Sequence, residues 1–155
     1  MYQWFVFLHL VGLVVFVLAH GASAFIALRL PGQRNPAVVA SYLETSKIAT
    51  NTMYGGLVLL LIGGAGAATI NDFWTEPWVL GSIAVLVVVI GLMYAFGTGY
   101  YGSLRKLLAE KGGAAAISEE ELVRRLDPQR PRILAAIGVI GLIVLVWLMV
   151  LKPGV

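Results

Sequence analysis

Four long apolar runs limit the folds open to this chain. They cover about residues 2–30, 50–70, 77–101 and 132–151, and each is long enough to cross a bilayer as a helix, which takes about 20 residues. The 155-residue chain is 59% hydrophobic and 12% charged, so it has more apolar surface than a soluble domain of this size can bury. We therefore predict one all-α domain over residues 1–155. It is an integral membrane four-helix bundle with up-down topology, in contact with the lipid bilayer.

Basic residues predict the orientation of the spans. All of the eleven Lys and Arg residues except Lys152 lie in or beside the first and third connections. Because cytoplasmic loops are enriched in Lys and Arg, we expect these connections on the inner side and both chain termini on the outer side. This distribution also accounts for the formal net charge of +3, so we expect no nucleic-acid partner.

The two inner connections carry helix-start signals. Asn35-Pro36 is typical of an N-cap followed by proline at the first helical position, and it should begin a lead-in to the second span. In the cytoplasmic loop 103–131, Ser118 and Glu121 form a capping box. They predict a short helix over about 119–126.

Small residues indicate where helices can approach closely. The second span is rich in glycine, and Gly91, Ala95 and Gly99 are spaced four residues apart in the third. Such small-xxx-small patterns allow close helix contact in membranes. There is no cysteine, which excludes disulfides and thiolate metal ligands.

The first span contains the only two histidines, His9 and His20. Eleven residues are close to three helical turns, so both rings share one stripe and lie about 16 Å apart along the axis. Polar side chains within a membrane span are costly and suggest function. Imidazoles on bundle helices can hold haem iron, and at this separation His9 and His20 would each ligate a separate haem b. The sequence thus predicts a b-type haem protein in membrane electron transfer.

The ligand opposite each histidine is open, since no third histidine exists. Methionine is one candidate: depth pairs His20 with Met53 or Met93, and His9 with Met149. A parallel homodimer would instead place each histidine opposite its own copy, and five-coordinate haem needs no opposite ligand. Copper bound by His and Met is a further alternative, because thioethers suit Cu(I).

Two structural interpretations compete with the cofactor hypothesis. Each histidine could hydrogen-bond a backbone carbonyl or Ser23 between helices, and the methionines could simply fill the core. The sequence has no Ser/His/Asp set and no carboxylate pair within a span, which argues against an intramembrane hydrolase or a proton-coupled transporter. The alternative function from a different class is a non-enzymatic accessory subunit of a larger membrane complex, with the small-residue ridges as docking faces.

Several features of the chain occur together in one group of proteins. They are the glycine-rich second span, the Arg-rich third connection, the opening Phe7-Leu8-His9-Leu10-Val11-Gly12 and the closing Met149-Val150-Leu151-Lys152-Pro153. In these features the chain resembles a bacterial family of four-helix integral membrane proteins, a domain of unknown function. That family is distantly similar to CopD-type copper-resistance proteins and HemJ-type protoporphyrinogen oxidases.

The resemblance implies a multi-pass protein of the bacterial cytoplasmic (inner) membrane. It also implies haem binding at His9, which matches a histidine implicated in haem binding in the HemJ-type group. That group uses a lysine in its third helix. The third span here has none, which argues against porphyrinogen oxidation. His20 stands where such sequences more often have a small residue, so a second site there is a departure from the group.

Overall fold

The structure is a computed structural model that describes residues 1–110, 118–126 and 129–154. In these ranges it is all-helical. Four stretches are long and apolar enough to cross a membrane, as the sequence predicts. The helices are α1 (Tyr2–Arg29), α2 (Pro36–Ile70), α3 (Pro77–Met93), α4 (Gly99–Glu110), α5 (Glu119–Arg125) and α6 (Arg130–Leu151).

Three of the four membrane-crossing stretches are longer than a bilayer requires. They contain 31, 35 and 33 residues, or about 46–53 Å at 1.5 Å per residue, against a hydrocarbon core of about 30 Å. The fourth, α6, has 22 residues. On the side of the α1–α2 connection, the ends of the other three stretches pack together.

Those ends form a buried core that we call the inner cluster. Leu30, Val39, Leu43 and Leu122 are at most 1% exposed, the deepest burial among the described apolar side chains other than Pro131. The full set of buried residues in the inner cluster is Leu30, Val39, Leu43, Tyr100, Leu104, Leu122 and Leu126.

The inner cluster accounts for two helical extensions beyond the apolar runs. As the Asn35-Pro36 signal predicts, α2 begins at Pro36, and it continues without a break into the second span. The third stretch remains helical to Glu110 rather than ending at Tyr101. Both extensions place leucines or tyrosines on the cluster, so tertiary packing keeps these polar-flanked segments helical.

Both predicted helix starts on the inner side are confirmed. The Asn35 side chain accepts a hydrogen bond from the Ala37 amide at 2.9 Å. The Ser118 hydroxyl accepts one from the Glu121 amide at 3.3 Å. Each cap satisfies an amide that the first turn of a helix leaves without a partner.

Glycines bring the backbones of α1 and α2 into direct contact. A Cβ on Gly56 would lie 2.7 Å from the Phe16 amide nitrogen, a Cβ on Gly12 would run into the backbone of Leu60, and one on Gly63 would run into the backbone of His9. The contact of α1 with α2 is the most extensive in the fold, while α3 packs mainly on α6 and α1 touches α6 only lightly.

The small-residue ridge of the third span makes no close helix contact among the residues that the structure describes. A Cβ on Gly91 or on Gly99 would meet no atom within 4 Å, and Ala95 is exposed. The close approach found in the fold lies instead on the glycines of the second span.

Adjacent glycines on α2 give a matched test of the α1–α2 contact. We expect Gly56→Ala to destabilise the protein by about 1–3 kcal/mol, the typical cost of overpacking, because the new methyl group meets the backbone of Phe16. Gly55→Ala enters open space and should change stability by less than about 1 kcal/mol. Thermal unfolding in detergent measures both, and equal effects would contradict the assigned interface.

The absence of cysteine permits a clean topology test. Single-cysteine variants Thr75→Cys, on the exposed α2–α3 turn, and Ser41→Cys, on the exposed face of inner α2, are reacted with a membrane-impermeant maleimide. We expect labelling of Thr75→Cys in intact spheroplasts and labelling of Ser41→Cys only after lysis. The reverse pattern would overturn the orientation derived from the basic residues.

Candidate functional site

The His9 ring bridges α1 and α2. Its Nδ1 lies 2.8 Å from the carbonyl oxygen of Leu60, and a Cβ on Gly64 would lie 2.9 Å from the same nitrogen. Glycine at position 64 therefore provides the space that the ring occupies. Because a carbonyl can only accept, Nδ1 donates and carries the proton, which leaves Nε2 with a free lone pair when the ring is neutral.

The His20 ring lies where three helices meet. It stacks on Phe16, one turn earlier on α1, with ring centroids 5.8 Å apart and planes 2° from parallel. Its Nε2 abuts Gly138 of α6, and the methyl group of Met93, at the end of α3, lies 3.0 Å from the position of a Cβ on Gly138. His20 and Met93 are thus neighbours across a glycine.

The two histidines differ in how their nitrogens are satisfied. His9 donates a hydrogen bond to the Leu60 carbonyl on the neighbouring helix. This is the interhelical contact that the structural interpretation predicts for a histidine within a span. His20 makes no hydrogen bond within the part of the chain that the structure describes. Ser23 pairs with Ser46, their oxygens 3.3 Å apart, rather than with an imidazole. The half-buried His20 ring therefore has no polar partner among the described residues.

The backbone beside Met93 is irregular. Residues Tyr94–Thr98 form a π-helical segment directly after α3, and single π-helical turns occur frequently at functional sites. The apolar pattern of the third span gives no sign of this segment. It also gives no sign that Gly138 would face His20, because glycines recur throughout the spans.

The other candidate ligands occupy different environments. Met53 is half-buried on α2, and Met149 is 36% exposed near the outer end of α6. Among the residues described, no group of three or more His, Asp, Glu or Cys side chains could hold a metal ion. A metal at His20 would therefore rely on a thioether or on the nitrogens of a macrocycle.

The hydrogen bond of His9 predicts a tautomer that can be measured. In ¹⁵N-histidine-labelled protein at pH 8, we expect the Nδ1–H form for His9, because the Leu60 carbonyl can only accept. The variant His20→Phe assigns the two sets of ring signals. An Nε2–H form at His9 would show that the bond to Leu60 is not made.

Comparisons with known proteins agree with the membrane architecture. No curated protein and no solved structure matches the chain. One family model, described as "Predicted integral membrane protein (DUF2269)", matches residues 3–153. With four helices able to span a membrane and a family match over nearly its whole length, the chain belongs to this family of integral membrane proteins.

Proposed function

We propose that this chain is a b-type haem protein of the bacterial inner membrane that takes part in electron transfer. His20 is an axial ligand through Nε2, and His9 serves a second haem. The single observation that carries the proposal is the His20 imidazole, which has no hydrogen-bond partner among the described residues and abuts Gly138 of α6, the same glycine that the methyl group of Met93 approaches.

The side chains around His20 fit such a ligand in chemistry. Imidazole and thioether are both established axial ligands of haem iron. The methyl group of Met93 lies at the same glycine that Nε2 faces, which brings the methionine that carries the thioether to this junction. Of the two methionines paired with His20 by depth, this contact favours Met93 over Met53. Haem bound there would supply a one-electron carrier within the bilayer.

Space at His20 depends on how α1 and α6 are packed. Gly138 lies directly against Nε2, so a macrocycle can enter only where α6 moves away from α1. The α1–α6 contact is light, whereas α1 is locked to α2 through backbone contacts. We infer that α6 moves away from α1 when a macrocycle binds and that α1 and α2 keep their packing.

His9 is oriented as metal-binding histidines usually are. A ligating histidine generally donates its other ring N–H to a carbonyl or carboxylate, and Nδ1 of His9 does so to Leu60. The remaining Nε2 lies about 16 Å from His20 along α1. Two sites at that separation would carry an electron from one side of the bilayer toward the other.

Copper is a second candidate for His20, favoured by the close approach of its ring to Met93. A single ion needs far less space than a macrocycle, so it requires a smaller movement of α6. Imidazole and thioether together suit Cu(I). Metal analysis and an absorption spectrum of one purified sample separate the two cofactors.

Substitution of His20 tests the haem proposal. We expect the purified or haem-reconstituted protein to show a Soret band, and His20→Ala to lose one of two haems because it removes the only nitrogen ligand at that junction. Met93→Leu should alter the spectrum of the same haem, while Met53→Leu, a matched change on α2, should leave it unchanged. No Soret band in any preparation, or an unchanged haem content in His20→Ala, would contradict the proposal.

A further inference from the structure

Two polar groups on α4 are buried without partners at the inner end of the bundle. The hydroxyl of Tyr101 and the Nε of Arg105 are both inaccessible, and neither makes a hydrogen bond among the described residues. The two residues are four positions apart and therefore adjacent on one face of the helix. Buried donors without a partner are rare in folded proteins, and those that do occur can mark the place where an ion binds.

The electrostatics of this face favour an anion. The guanidinium of Arg105 carries a positive charge, and it makes no ion pair among the described residues. A part-buried cation without a counter-charge is costly. A second cation lies near this end, since the Arg130 guanidinium sits 5.7 Å above the ring of Tyr100.

The depth of the pair matches the phosphate level of a bilayer. Tyr101 is 24 residues beyond Pro77, the first residue of α3, which corresponds to about 36 Å along the helix. The hydrocarbon core is about 30 Å thick, so both side chains reach the inner headgroup region. Tyr101 also packs against the inner cluster, which holds its ring in place. The Arg105 side chain as a whole is half-buried, so part of it reaches the surface of the bundle.

We propose that Tyr101 and Arg105 bind the phosphate group of an anionic phospholipid of the inner leaflet. Both groups are closed off in this structure, so binding turns the two side chains outward. The hydroxyl and the guanidinium then donate hydrogen bonds to phosphate oxygens, the ligand for which arginine's planar donor fork is suited. Basic pockets between membrane helices on the cytoplasmic side commonly hold such headgroups. The same donors would accept free inorganic phosphate, and the experiment separates the two sources.

Lipid binding is measured on the full chain by native mass spectrometry and by thermal unfolding in detergent. The probes are mixed micelles with phosphatidylglycerol, with phosphatidylcholine, or with inorganic phosphate. We expect phosphatidylglycerol to bind and to raise the unfolding temperature. Tyr101→Phe and Arg105→Gln should each weaken that binding about tenfold, as expected for a lost hydrogen bond to a charged group.

Matched controls exclude a general charge effect. Arg29→Gln removes one positive charge from an exposed site at the inner end of α1, and Tyr54→Phe removes an exposed hydroxyl from α2; both should bind as the native protein does. An equal response to inorganic phosphate, lost in Tyr101→Phe, would assign the site to free phosphate. Native-like phosphatidylglycerol binding by Tyr101→Phe overturns the proposal even where Arg105→Gln fails to fold.

Discussion

The direct backbone contact between α1 and α2 is the constraint on which the rest of the structure depends. In a bilayer, lipid tails are as apolar as leucine, so helices associate through close packing rather than through the hydrophobic effect. Gly12, Gly56 and Gly63 remove the side chains that would keep the two helices apart. The contact fixes the rotation of α1, and with it the direction in which every side chain on that helix points.

That fixed rotation gives the two histidines different surroundings although they share one stripe. His9 is close enough to α2 for its Nδ1 to donate to the Leu60 carbonyl. His20 lies slightly further around the helix axis than His9, because eleven residues are just over three turns. Its ring faces Gly138 on α6, which packs only lightly against α1. One helix thus carries His9, which has a hydrogen-bond partner, and His20, which has none among the described residues. The unpartnered ring is the one on which the proposed function depends most.

The sequence predicted the four spans and the helix starts because these depend on local signals. Hydrocarbon thickness sets the span length, and Asn35 and Ser118 cap their own helices. The apolar runs end short of the helical extensions of α2 and α4, which pack on distant segments. The Asn35-Pro36 signal predicted the extension of α2, whereas no local signal predicted that of α4. For the same reason Gly138 and the π-helical segment beside Met93 could not be identified. Many glycines line the spans, and only the three-dimensional packing shows which one faces His20.

The proposed function requires that the His20 imidazole is free to ligate a cofactor. The most direct test of this requirement is the pyridine haemochrome assay on purified protein, which counts b-type haem per chain. We expect two haems per chain in the native protein and one in His20→Ala, with an unchanged unfolding temperature showing that the α1–α2 contact is intact in the variant. A native protein with no haem after reconstitution, or one whose haem count does not depend on His20, would contradict the proposed function.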